Sequence, residues 1–283
     1  MKNSIYILFV LLVASACKEQ QELPKEWVLS KTIKLEGVNP IGITQLNGDI
    51  WISDGDHNRL IKIDSEGIII QTLDSLDRPM HIDASEGVLF VPLYGTDEIF
   101  NYNPSNPQSQ LPVFDYPADS LDAPASISVF KKEKAIADFY NNRILYFNGS
   151  EWISFGKEGK AEGEFYYPTD VQITKDEIWV ADAYNNRIQV FDKKGIFLQM
   201  MGHDQKMNAA TGIFVSEDEV YISDFENNRI LIFDKNGNLR QTLKNQIEKP
   251  TDVMIKDEML YVINYKNGKL NLFEKQEVAQ KKQ

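Results

Sequence analysis

From Trp27 onward the chain is written in short apolar runs set apart by Asp, Asn, Gly and Pro. Some runs are apolar and aromatic throughout, as in Ile178-Trp179-Val180 and Val220-Tyr221-Ile222; others alternate, as in Ile188-Gln189-Val190-Phe191. Both patterns predict β-strands. Between them recur Asp64-Ser65-Glu66-Gly67, Asp192-Lys193-Lys194-Gly195 and Asp234-Lys235-Asn236-Gly237. In such a turn Asp accepts the next backbone N–H groups and Gly supplies the positive φ that closes it.

The runs belong to a repeat. Asp138-Phe139-Tyr140-Asn141-Asn142-Arg143-Ile144 returns at Asp182–Ile188 and Asp224–Ile230, with an earlier copy at Asp54–Leu60 and degenerate copies starting at Leu93 and Asn264. Successive copies lie 39, 45, 44, 42 and 40 residues apart. Pro40, Pro79, Pro124, Pro168, Ala210 and Pro250 each stand 14 residues before the first position of a copy. A strand follows each of these positions, and a second and third strand flank the Asp motif. Fourth strands are predicted at residues 68–73, 111–114, 152–155, 197–201 and 239–243. The sixth copy has none, and residues 27–35 form an unassigned strand ahead of the first copy. The expected fold is therefore all-β: a six-bladed β-propeller of four-stranded antiparallel blades, the last blade closed by the N-terminal strand so that no edge stays open.

Pro-x-x-Val/Ile followed by Asp-x-x-Asn-x-Arg-Ile-x-x-Phe-Asp resembles the NHL repeat. Gly156-x-x-Gly159-x-x-x-Gly163-x-Phe165-x-x-Pro168 is similar to that family's inter-blade linker. The resemblance covers about residues 27–275 and implies the fold, while the family hosts enzymes, sensors and binding scaffolds.

Charge and the N-terminus narrow the function. With 30 basic and 42 acidic residues the net charge is −12, which disfavours nucleic acid as a partner. Lys2, an apolar run from Ile5 to Val13, and Ala14-Ser15-Ala16-Cys17 resemble a lipoprotein signal with Cys17 as the acylated residue. Cys17 is the sole Cys, so no disulfide supports the fold. The expected organisation is a signal peptide at 1–16, a polar tether at 17–25, the propeller at 26–275 and a charged tail at 276–283. The expected address is the bacterial cell envelope, at the outer membrane, with membrane contact through the lipid anchor alone and a monomeric ring.

Three sets of residues are candidates for chemistry or locking. Asp54/Arg59, Asp138/Arg143, Asp182/Arg187 and Asp224/Arg229 occur as pairs, and both members weaken together in copies two and six, so they are read as a hairpin lock. The Asn before each Arg is replaced only by Asp97 and Gly268, residues that tolerate left-handed φ. Two residues after each Pro position stand Gly42, His81, Ser126, Asp170, Gly212 and Asp252, expected at the channel mouth. His81, Asp170 and Asp252 there are candidate ligands for a cation such as calcium, or simply a solvated polar lining; no other cofactor is expected. Tyr94, Phe139, Phe225 and Tyr265 follow the Asp position and either form a stacking platform or pack between hairpins.

The resemblance extends to the family's amidating lyases through Pro168-Thr169-Asp170-Val171 and Pro250-Thr251-Asp252-Val253, but the three-His zinc site it implies has no counterpart among the chain's three His. No Gly-x-Ser-x-Gly, His-Glu-x-x-His or phosphate-loop motif is present. The sequence thus favours a cell-envelope binding or scaffold propeller for a protein, peptide or glycan ligand. The alternative is a calcium-dependent lyase or lactonase with its site at the channel mouth.

Overall fold

A computed structural model describes residues 25–108, 116 and 121–278. The signal peptide, Cys17, most of the tether, the strand expected at 111–114 and the last five residues lie outside them. The strands form consecutive antiparallel sheets. Blade one holds β2 (Pro40–Leu46), β3 (Asp49–Asp54), β4 (Arg59–Ile63) and β5 (Ile69–Asp74). Blade two holds β6 (Asp83–Ser85), β7 (Val88–Leu93) and β8 (Glu98–Tyr102). Blade three holds β9 (Pro124–Phe130), β10 (Glu133–Asp138), β11 (Arg143–Phe147) and β12 (Trp152–Phe155). Blade four holds β13 (Pro168–Ile173), β14 (Glu177–Asp182), β15 (Arg187–Asp192) and β16 (Phe197–Met201). Blade five holds β17 (Ala210–Val215), β18 (Glu219–Asp224), β19 (Arg229–Asp234) and β20 (Leu239–Leu243). Blade six is completed by β1 (Lys25–Lys34) alongside β21 (Pro250–Lys256), β22 (Met259–Asn264) and β23 (Lys269–Glu277).

The ring closes. First strands touch in the cyclic order β2, β6, β9, β13, β17, β21 and back to β2. The N-terminal strand pairs with β23 from Lys25↔Glu277 to Lys34↔Lys269, with one bulge between Leu29 and Lys31. Trp27 is buried on that strand and meets Tyr221 of blade five edge-on, 6.1 Å between ring centroids. Its backbone N–H and C=O are both taken by the Gln241 amide.

The core is distributed over the junctions between blades. Each of the six junctions holds one cluster of buried apolar side chains, the closing junction included, where Ile43, Ile52 and Ile61 pack on Met254, Ile263 and Leu270. A lone blade would expose both its faces, so its apolar side chains become a core only in the ring.

Strand direction gives the ring two unlike faces. The first strand starts opposite the Asp motif, as in Pro168↔Asp182 and Pro250↔Asn264, so the strand 2–3 hairpins and the starts of first strands share one face, called upper here. The turns joining strands 1–2 and 3–4 lie on the lower face. Lys34 is at the upper end of β1 and Lys25 at the lower end, so the chain enters from below.

Candidate functional site

The repeated polar residues are brought together as junction locks. Arg59, Arg143, Arg187 and Arg229 each donate Nε–H to the Asp five residues earlier, at 2.9, 2.6, 2.8 and 2.6 Å. The second oxygen of each Asp accepts a backbone N–H just ahead of its own blade's first strand, from Asn39, Asp122, Tyr166 and Asn208. In blade six Asn264 keeps that acceptor role toward Glu248 without the charge. The residue before each Arg position, Asn58, Asp97, Asn142, Asn186, Asn228 or Gly268, has φ between 52° and 58°. In the first five blades its side-chain oxygen reaches across and accepts the N–H of the residue before the next blade's Pro position: Arg78, Ala123, Tyr167, Ala209 and Lys249. Asp therefore ties a hairpin to its own blade, and Asn ties it to the next.

At the channel the six copies obey a rule of alternation. Blades one, three and five place Gly42, Ser126 and Gly212 at the position two after the Pro site, while blades two, four and six place His81, Asp170 and Asp252 there. A narrow axis has room for only three large side chains in one layer, with Gly or Ser between them. A Cβ on Gly42 would stand 2.7 Å from His81 Cα, and one on Gly212 would stand 2.3 Å from the Thr251 carbonyl oxygen. His81, Asp170 and Asp252 converge from alternate blades, with one ligand atom of each within 4.8 Å of the others.

These three residues lie one layer inside the channel, 5–6% exposed, rather than at an open mouth. Both carboxylates lace blades together. Asp170 accepts from Ser126 Oγ and from the N–H groups of Val171 and Ile213; Asp252 accepts from the N–H groups of Val253 and Ile43. His81 Nδ1 stands 3.5 Å from Asp252 Oδ2 and 4.0 Å from Asp170 Oδ2 and closes a hydrogen bond with neither. The His81 backbone is bridged to Ala125 and Ile127 of blade three, which is why β6 begins late.

Below the triad a cavity of about 360 Å³ runs between the lower halves of the first strands, lined among others by Thr44, Asp83, Ser128, Gln172, Phe214 and Met254. Burial pushes the Asp83 carboxyl up to about 7; the N–H groups of Val129 and Ala84 oppose this, and Asp170 and Asp252 add to it. Burial also raises Asp170, with His81 opposing and Asp252 reinforcing. Burial draws His81 down, but the two facing carboxylates outweigh it and its affinity for a proton ends above the ordinary value.

The four aromatics on the upper face fall into two groups. Tyr94 and Phe139 meet at 5.9 Å and extend into a continuous cluster with Tyr140, Tyr166, Tyr167 and Tyr184 across blades two to four. Phe139 stacks on Tyr167 at 4.8 Å and 13°, and the Tyr94 and Tyr140 hydroxyls are 2.7 Å apart. Tyr140 and Tyr184 remain 48% and 59% exposed. Phe225 and Tyr265 form a separate tilted pair at 6.3 Å, beside a recess of about 180 Å³ that Arg78 and Asp56 also line. The Arg78 guanidinium lies 4.5 Å over the Tyr94 ring, and Tyr265 donates to Asp56. The sequence did signal Tyr140 and Tyr184. They are the two aromatic residues at a position held elsewhere by Asp56, Gly95, Glu226 and Lys266. The channel triad lines one cavity and Phe225 and Tyr265 line another, while Tyr94 and Phe139 line neither, so triad and aromatics do not form one site.

Residues 165–191 match the NHL repeat. The structure is similar to virginiamycin B lyase from Staphylococcus aureus, with a TM-score of 0.63 and 15% identity over 88% of this chain and 99% of that one. A streptogramin B lyase structure gives a TM-score of 0.63 and 14% identity over 90% and 98%. At that identity the likeness is one of fold. No curated protein sequence matches the chain.

Proposed function

We propose that this chain is a lipid-anchored propeller of the bacterial cell envelope, acylated at Cys17, that binds a protein, peptide or glycan on its upper face. The observation that carries this reading is the continuous aromatic cluster of blades two to four, with Tyr140 and Tyr184 presenting rings to solvent. Buried rings such as Trp51 and Trp179 pack blades together, whereas these two stay half open on a hairpin face. Aromatic faces of that kind stack on sugar rings or on peptide side chains, and loops held by a rigid scaffold are where binding residues collect. The test is titration of the chain with oligosaccharide and peptide panels, repeated with Tyr140→Ala combined with Tyr184→Ala. Two ring contacts of about 0.5–1.5 kcal/mol each should cost roughly tenfold in affinity with the melting temperature unchanged. A lower melting temperature with binding intact would return both rings to packing.

A second reading, a metal-dependent lyase or lactonase working in the channel, rests on the orphaned His81 Nδ1. A tetrahedral ion with bonds of about 2.0–2.2 Å holds its ligand atoms roughly 3.3–3.6 Å apart, which matches the 3.5 Å between His81 and Asp252 and is shorter than the 4.0 Å between His81 and Asp170. Calcium takes about six to eight oxygens, whereas His81, Asp170 and Asp252 offer one nitrogen and two carboxylates, a set better suited to a zinc-like ion with an open position. Such an ion would supply Lewis-acid activation of a carbonyl or of water. The fold's likeness to lyases supports the reaction class only in this general sense. Metal content after dialysis tests it. About one ion per chain, lost in His81→Ala, supports a bound metal. That variant removes a ligand without cutting the Asp lacing.

A further inference from the structure

Among the described residues, the large aliphatic side chains that the ring leaves exposed are placed with a bias. Ile68 (62%), Ile70 (53%), Ile196 (60%), Leu198 (49%) and Leu239 (40%) all stand at or just after strand 3–4 turns, so all five lie at the lower ends of outer strands. Strand alternation turns them outward. Ile69 and Phe197 between them pack on the core clusters. They belong to blades one, four and five, and blade six, which β1 completes, lies between five and one. Trp27 of β1 is bonded to Gln241 on the strand that carries Leu239. On the other side Lys31 of β1 pairs with Glu66, two residues from Ile68. The chain therefore enters the ring between the aliphatic residues, on the face they occupy.

The geometry points to a lipid bilayer as the partner of this lower rim: the rim of blades four, five, six and one rests on the membrane, with Ile68, Ile70, Ile196, Leu198 and Leu239 seated at its interface. The proposal rests on acylation of Cys17. Residues 18–24 then span at most roughly 25 Å, at about 3.3–3.6 Å per residue, so the rim next to Lys25 is the part of the ring held against the bilayer. With a net charge of −12 the chain is not drawn to anionic lipid by itself. The anchor supplies the local concentration and the aliphatics supply the contact. The upper aromatic face then points away from the membrane.

The test uses the full chain, acylated in the producing cell and reconstituted in phosphatidylethanolamine–phosphatidylglycerol vesicles. Because Cys17 is the only Cys, a second one is uniquely labelled once Cys17 is acylated. An environment-sensitive dye is placed at Ile68→Cys, Ile196→Cys or Leu239→Cys, and at Lys266→Cys on the upper face. Lipids carrying a headgroup-level nitroxide should quench the three rim labels several-fold more than the label at position 266. Equal quenching, or stronger quenching at 266, overturns the rim contact while acylation stands. A mature chain whose mass shows no acyl group, and which does not float with vesicles, overturns the anchoring and the rim contact together.

Discussion

At the scale of single residues, the repeat's polar side chains differ in how much hangs on them. Arg187 is buried and donates to Asp182 and to the carbonyls of Lys160, Ala161 and Glu164. Arg59 makes the same Asp contact and one carbonyl contact from a more open site. Arg187→Leu should therefore cost about 3–5 kcal/mol, because it strands the buried Asp182 carboxylate together with three carbonyls, while Arg59→Leu leaves one carbonyl and an Asp54 that keeps His57, and costs clearly less. Denaturant melts of the two variants decide it, and equal losses would count against a burial-dependent lock. Asp83 gives the channel a pH signature. Its folded affinity for a proton exceeds its unfolded one, about 7 against 3.8. The native state then binds more protons between those values, and stability falls as pH rises from about 4 to 7, at up to about 1.4 kcal/mol per pH unit. Asp83→Asn should make that slope shallower in chelator-treated protein, leaving the share of Asp170, which burial also raises; an unchanged slope would place the titration elsewhere.

At the scale of elements, the strands follow from local pattern, and so does the closing strand. The outer strands expected at 152–155, 197–201 and 239–243 coincide with β12, β16 and β20; Asp-x-x-Gly turns fix where β16 and β20 start, and a turn from Asn148 to Glu151 precedes β12. The left-handed position was legible because only Asn, Asp and Gly fill it. Its purpose was not. The hydrogen bond from the next blade crosses some twenty residues of sequence, as from Arg78 to Asn58, and no local pattern announces such a partner. The Thr after the Pro site was equally silent. Thr169, Thr211 and Thr251 donate to the carbonyls of Ala210, Pro250 and Pro40, stitching blade four to five, five to six, and six to one. Removal of residues 26–36 should unfold the ring in one step, since β1 covers the core of blade six and touches both its neighbours. A truncated chain that keeps a cooperative melt at nearly the same temperature would show the closure to be dispensable.

At the scale of the whole molecule, the candidate site was half legible. Listing the position two after each Pro gave His81, Asp170 and Asp252, yet their depth depends on how tightly first strands crowd the axis. Only the neighbours of Gly42 and Gly212 reveal that crowding. The aromatic face was underread for a similar reason. Tyr166 and Tyr167 sit before a Pro, Tyr140 and Tyr184 in hairpins, and their union into one cluster is a product of packing between neighbouring blades. Binding and stability should thus separate by location: loss of Tyr140 and Tyr184 affects capture, and loss of junction locks affects melting. The pairing of β1 with β23 carries one more consequence, a mechanical one. A pull on the N-terminal segment enters the ring at Lys25 and runs along β1 toward Lys34, parallel to the strand and across every rung shared with β23. Ladder hydrogen bonds lie perpendicular to the strands, so this load shears the rungs together instead of peeling them one at a time. The ring is fastened by the strand through which it would be tugged, in the direction in which that seam is strongest.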